Sequence, residues 1–198
     1  MDQLSDEQLL QRAGDGDAAA FTELVRRHHR ALIQFAYRLL GGRDMHAAED
    51  LAQHVFLEAW KRAADFEPRA KVTTWLFRIA TNACLNRRRY LRPRIAAPLD
   101  ADIASPAADG PANVVGEEAS HSVRTAIAAL PDQQRAVIVL RHYHDLSYAQ
   151  IAEIIGSSPA AVDSMLHRAR AALRDQLENT RKNENFPQDS SPRRAEYK

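Results

Sequence analysis

The chain has one cysteine, Cys84, in 198 residues, so no disulfide can form within it. Its place beside an apolar stripe predicts a buried free thiol, which suits a reducing cytoplasm. Glycine is scarce, at seven residues, and nowhere forms a phosphate-cradling loop. No apolar run approaches the length of a membrane span, and the opening MDQLSDEQLL is acidic, without the charged-then-apolar order of a signal peptide. Membrane insertion and export are therefore not expected. Acids nearly vanish in one segment: from Phe66 to Arg94 the bases Arg69, Lys71, Arg78, Arg87, Arg88, Arg89, Arg92 and Arg94 face only Glu67, although the formal net charge is +1. A patch of that kind attracts phosphate whatever the total charge is.

Catalytic and metal signatures are also missing. Of the eight histidines, His142 and His144 stand two apart and diverge on a helix, while the adjacent pair His28 and His29 cannot share a face. No metal or cofactor is expected, and no nucleophile has an evident base, so the chain does not read as an enzyme.

What is present is helical punctuation. A hydrophobic content of 45% suits two small domains. Ser5 and Gln8 form a capping box with Leu4 and Leu9 at staple positions. Asp17 caps a helix whose apolar positions Phe21, Leu24, Val25, Leu32, Phe35 and Leu39 run to the stop at Gly41 and Gly42, and Asp44 caps the next. That third helix buries Ala48, Leu51, Ala52, Val55, Phe56 and Ala59. Its other face, Glu49, Asp50, Gln53, Leu57 and Trp60, mixes polar and large apolar side chains, which is either a partner surface or packing against another helix of the same domain.

In TTWLFRIATNACLNRRR, helical spacing places Trp75, Arg78, Asn82, Asn86 and Arg89 on one stripe and Leu76, Ile79, Ala80, Ala83, Cys84, Tyr90 and Leu91 on the other side. The first stripe joins an aromatic plane, amides suited to base edges and guanidinium groups suited to phosphate. After Arg92 a Pro-, Ala- and Asp-rich stretch without helical period reads as an acidic linker, either a solvated tether or a nucleic-acid mimic. Ser147 and Gln150 form a second capping box with Leu146 and Ile151 as staple. That helix stops at Gly156, and Ser158 caps another that starts at Pro159. Together they make a helix-turn-helix with Val162, Leu166, Ala169 and Leu173 inside and Ala160, Ser164, His167, Arg168 and Ala171 outside. The last twenty residues are polar and read as disordered.

Three segments, AEDLAQHVFLEAW, FEPRAKVTTWLFRIATNACLNRRR and LPDQQRAVIVLRHYHDLSYAQIAEIIGSSPAAVDSMLHRARAAL, in this order, resemble the extracytoplasmic-function group of bacterial sigma factors. The resemblance implies an all-α chain of two small helical domains on a flexible acidic linker: 1–92 as region two, 93–120 as linker, 121–178 as region four, with 179–198 a tail. It implies that Glu49, Asp50, Gln53, Leu57 and Trp60 dock on the β′ clamp coiled coil of core RNA polymerase, with the β flap as a further contact. Phe66, Arg69, Lys71, Thr74, Trp75, Arg78, Asn82, Asn86, Arg87, Arg88 and Arg89 would hold the minus-ten element. Ser147, Ser158, Ala160, Asp163, Ser164, His167 and Arg168 would meet the minus-thirty-five element. Promoter DNA and an anti-sigma factor are the implied partners besides polymerase. Departures from the family pattern are His54, in place of a usual acid, and Asp163 and Met165, in place of usual bases of the recognition helix. A stand-alone regulator reading duplex DNA through the helix-turn-helix is the rival reading; it leaves Trp75 to Arg89 without work.

Overall fold

A computed structural model describes residues 4–66, 71–95 and 114–184, with side chains at 4–66, 71–90 and 121–181. The described residues form helices and no strand. In order they are α1 (Asp6–Gly14), α2 (Ala18–Leu40), α3 (Met45–Lys61), α4 (Val72–Ile95), α5 (Val114–Ala129), α6 (Asp132–Tyr143), α7 (Tyr148–Ile155) and α8 (Pro159–Glu184).

The helix ends follow from the caps read in the sequence. Ser5 and Gln8 make a reciprocal capping box, as do Ser147 and Gln150, and Asp17 accepts the amides of Ala19 and Ala20. Asp44 accepts the Ala47 amide and Ser158 that of Ala161. Each such cap is worth about 1 kcal/mol. Gly41 closes α2 at φ 106°, a left-handed conformation that a side chain would strain, and the Gly42 amide returns to the Tyr37 carbonyl at 2.8 Å. The N-terminus of α4 draws support from a distant residue: the Val72 amide donates to the Glu7 carboxylate of α1 at 3.4 Å.

Helices α1 to α4 pack as one group and α5 to α8 as another. The buried stripe expected for α3 is found as read; on α2 Leu24, Leu32, Phe35 and Leu39 are buried and Phe21 and Val25 only partly so, and Cys84 is fully buried, its thiol pushed up to about 12 by desolvation. Other expectations are corrected. Tyr90 is exposed, whereas Phe77 and the threonines Thr74 and Thr81 are buried on α4. Met165 is buried too, so the loss of a base there is a gain of core rather than a bare loss of charge. Helix α4 continues through Pro93 to Ile95, α5 begins at Val114 and α8 reaches Glu184, so helix occupies both ends of the expected linker and the start of the expected tail. Residues 96–113 and 185–198, which hold the rest of both, lie outside the described residues.

The two groups also pack against each other: α4 meets α7, and α2 meets α5 and α6. At this junction the His144 ring sits 4.5 Å from Phe77 and 5.7 Å from Phe35, and its Nε2 has no hydrogen-bond partner. Burial in this aromatic setting holds its pKa down to about 4, with Arg38 adding to the depression and Asp145 opposing it. Arg38 in turn lies 4.2 Å over the Tyr143 ring. A depressed histidine pKa favours the docked state fully above the ordinary histidine value and progressively less as pH falls from there toward 4. Relative to His144→Phe, the wild type should therefore lose stability between pH 6.5 and 4, by at most about 1.4 kcal/mol per pH unit, as urea titrations at several pH values would measure.

Candidate nucleic-acid interface

The exposed side of the N-terminal group carries a groove between α3 and α4. Its larger part, about 370 Å³, is walled by His54 and Glu58 of α3, by Arg62 at its C-cap and by Trp75, Arg78, Asn82 and Asn86 of α4, over a floor of Ile79 and Ala83. A second part of about 280 Å³, sharing His54, Ala83 and Asn86, extends it to Asp50 and Arg87. The α4 stripe singled out in the sequence thus faces the trough through Trp75, Arg78, Asn82 and Asn86, whereas of the α3 stripe only Asp50 lines it.

On α3, Glu49, Asp50 and Gln53 are exposed, Leu57 is 60% exposed and Trp60 38% exposed. Trp60 serves both readings given above: one edge packs on Phe21 at 5.0 Å while the rest meets solvent. Glu58 is paired with Lys61 at 3.1 Å and Arg62 at 3.2 Å; the Lys61 hydrogen bond, first, holds its carboxyl below the usual range.

On α4, Trp75 is half-buried against Phe66, ring centroids 5.2 Å apart, leaving part of the indole at the groove. Arg78, Asn82, Asn86, Arg87 and Arg89 are exposed, as is Lys71. Arg69 lies outside the described residues. Thr74 is corrected: at 1% exposure it faces inward and cannot touch a nucleic acid in this arrangement. Arg88 is half-buried and paired with Asp132 of α6, its Nε 2.8 Å from Oδ1. That approach lies off the N–H direction, so the contact is an ion pair rather than a hydrogen bond.

On the C-terminal group, Ser158, Ala160, Asp163, Ser164, His167 and Arg168 are exposed along α8. The hydroxyls of Ser147 and Ser158 are occupied as caps, and Ser164 Oγ donates to the Ala160 carbonyl at 3.1 Å. Sequence reasoning missed the groove contribution of His54, Glu58 and Arg62. The one available signal was His54 itself, already a departure from the family pattern. Among the described residues no three His, Cys, Asp or Glu side chains cluster as metal ligands, and no helix is long and apolar enough to cross a membrane.

Chemically, the groove offers an aromatic edge for stacking, amides for base edges and guanidinium groups for phosphate, all on rigid helices. The comparisons with known proteins agree with that chemistry. The family description "Sigma-70 region 2" matches residues 24–94, and "Sigma-70, region 4" matches 120–173. The chain is 38% identical over 174 residues to the ECF RNA polymerase sigma factor SigW of Bacillus subtilis, covering 82% of this chain and 91% of that protein. It is 39% identical over 169 residues to SigM of Mycobacterium tuberculosis, covering 85% and 83%. Among solved structures, CnrH in complex with the cytosolic domain of CnrY superposes with a TM-score of 0.67 at 29% identity, covering 88% of this chain and 97% of that one. RpoE in complex with the anti-sigma factor NepR, from Bartonella quintana, gives 0.62 at 26%, covering 80% and 96%. The chain belongs to the sigma-70 family, in its ECF group of RNA polymerase sigma factors. It directs core polymerase to promoters for initiation, and the rival reading as a stand-alone regulator finds no support beside the match over 24–94.

Burial separates Thr74 from its neighbours on α4. Thr74→Lys should lose more than about 3 kcal/mol, because it forces an unpaired charge into the core, whereas Asn82→Lys should change stability by no more than about 0.5 kcal/mol. Thermal and urea unfolding of the two variants would check this.

Proposed function

We propose that α3 docks on the β′ clamp coiled coil of core polymerase through Glu49, Asp50, Gln53, Leu57 and Trp60, while the α4 side of the groove holds the unpaired minus-ten strand. Trp75 stacks on an unpaired base, which contributes roughly 1–3 kcal/mol. Asn82 and Asn86 meet base edges, and Arg78, Arg87 and Arg89 hold the backbone. The outward face of α8 meets the minus-thirty-five duplex, and the C-terminal group contacts the β flap. Residues 1–92 and 121–178 are the two working parts, and the site of action is the cytoplasm. Regulation is by an anti-sigma factor, in a stress or envelope response; what supports this is that RpoE, a sigma factor of similar structure, is bound to the anti-sigma factor NepR, and that CnrH is bound to the cytosolic domain of CnrY.

The observation that carries this reading is the single groove in which Asp50 and His54 of the docking helix face Asn86 and Arg87 of the DNA helix. Polymerase and the opened strand would then lie side by side. Asp50→Ala with Gln53→Ala should leave helicity and melting unchanged, because both side chains are exposed, and should lower copurification with core polymerase several-fold. Run-off transcription from genomic promoter fragments, with and without the protein, tests the function as a whole.

Asp163 tests the duplex contact. As an exposed acid in the second turn of α8 it lies beyond the first turn, where the helix dipole acts, and repels phosphate. Asp163→Lys should raise affinity for upstream duplex at low salt, steepen log K against log salt by about one unit, and leave the melting temperature nearly unchanged. Weaker cognate binding with no steeper slope would instead mean that Asp163 reads a cytosine amino group.

A further inference from the structure

Helix α4 begins without the means to cap itself. Its first internal bond runs from the Trp75 amide to the Lys71 carbonyl at 3.1 Å, which puts Lys71 at the capping position, and an ammonium group has no acceptor to offer. No acid stands in the first turn of α4 either. One of the amides left over is served from outside: Glu7 of α1, 65 residues away in the chain, accepts the Val72 amide at 3.4 Å. A carboxylate there supplies both the missing acceptor and a negative charge at the positive end of the helix dipole.

The other end of α1 bears on the chain that leaves α3. A Cβ built on Gly14 would stand 2.9 Å from the Ala63 carbonyl oxygen and 3.0 Å from the Ala64 Cα, both backbone atoms that cannot swing aside. Gly14 is the last residue of α1 and has no left-handed φ, so it is the close approach that calls for glycine. That same Ala63 oxygen accepts the Phe66 amide at 3.3 Å.

The two contacts converge on one pair of rings. Glu7 holds the turn that carries Trp75, Gly14 makes room for the carbonyl that holds Phe66, and the two rings pack with centroids 5.2 Å apart where Trp75 lines the groove. Helix α1 is itself fixed on α2. Asp6 pairs with Arg27 at 3.0 Å and with His28 at 2.7 Å, Arg27 Nη1 donates to the Leu4 carbonyl at 2.9 Å, and Leu9, Leu10 and Ala13 are buried. Residues 6–14 precede the segment 24–94 that the family description matches.

We propose that α1 is the positioning element of the Phe66–Trp75 pair, with Glu7 acting through the Val72 amide and Gly14 through the Ala63 carbonyl to set the face that Trp75 presents to an unpaired base. The proposal rests on the reading of Trp75 as the stacking residue. Neither Glu7 nor Gly14 touches the strand. A base has to meet the plane of the ring, and a ring carried on a frayed first turn must be ordered before it can stack, at a cost to binding.

A double-mutant cycle on promoter opening by the holoenzyme tests it. The template is a genomic promoter fragment that supports run-off transcription, and permanganate reactivity of thymines near the start site reports the opened strand. Glu7→Ala should lower that reactivity about five-fold, the factor expected of one lost helix cap, and Glu7→Gln, which keeps an oxygen at the same reach, should restore most of the loss. Gly14→Ala should lower it about three-fold, although alanine is the better residue in an unhindered helix. Trp75→Ala should lower it about ten-fold, and adding Glu7→Ala to Trp75→Ala should change nothing further, because Glu7 acts through the ring. Copurification with core polymerase should stay at the wild-type level throughout. On the free protein, Trp60→Phe leaves Trp75 as the single tryptophan, and its quenching by acrylamide should rise about two-fold in Glu7→Ala and in Gly14→Ala as the ring loosens from Phe66.

Additive losses from Glu7→Ala and Trp75→Ala would overturn the proposal, since Glu7 would then act by a route that bypasses the ring. Unchanged opening and quenching in Glu7→Ala and Gly14→Ala would overturn it as well, and so would a loss of core binding in step with opening, the mark of a general loss of structure. Wild-type opening by Trp75→Ala would overturn the stacking reading itself.

Discussion

Arg135 is the side chain on which the arrangement of the C-terminal group turns. It is 1% exposed, and its guanidinium donates to the carbonyls of Ile127, Ala128 and Leu130 at the end of α5 and of Leu39 at the end of α2. Burying an unpaired guanidinium would cost several kcal/mol, so these oxygens are a requirement and not an addition. They are also well chosen. Carbonyls in the last turn of a helix have no partner within it and sit at the negative end of its dipole, which favours a cation there. One side chain thus fixes α6 beside α5 and, through one bond, beside α2.

The division of those bonds decides what the interface can do. Three of the four acceptors belong to the C-terminal group, so Arg135 keeps most of its partners when the groups part and water can replace the fourth. The other polar and ring contacts across the junction are of the same exchangeable kind, beside a buried apolar core that is continuous through both groups. Arg88 and Asp132 form a partly exposed pair, Arg38 lies over Tyr143, and the neutral ring of His144 rests between Phe35 and Phe77. None of these is a large apolar knob in a deep socket.

Much of this was legible in the sequence, for a local reason. Caps and staples are chemistry within four residues, so Ser5, Asp17, Asp44, Ser147, Gly156 and Ser158 could be placed without knowing anything distant. The stripes of α2 and α3 were legible because one strong apolar period dominates them. Helix α4 was only half legible. Its groove face stood out by charge and amide content, but the stripe through Thr74, Phe77 and Thr81 did not: Phe77 and Thr81 were assigned to neither face, and Thr74 was placed at DNA by the family resemblance. What buries it comes partly from residues some sixty positions later, and no periodicity within α4 reports on that. Met165 was misread for a related reason: comparison with a family pattern marks a missing base, whereas the position on α8 is one turn from Val162 and Ala169 and points inward.

The same helix therefore carries two surfaces whose uses exclude each other. A guanidinium has a fixed fork of donors, and with Arg88 turned toward Asp132 and Leu39 it is not also presented to phosphate. Exclusive use makes the two events thermodynamically linked. Whatever factor DNA gains when the groups are apart is the factor by which bound DNA favours their separation. Core polymerase on α3 enters the same linkage only to the extent that it binds the separated form more tightly, since a partner with equal affinity for both would shift nothing. The groove and the stripe that meets His144 lie on different faces of α4, so a partner on the proposed docking residues Asp50 and Gln53 of α3 would not by that contact alone displace His144 from Phe77.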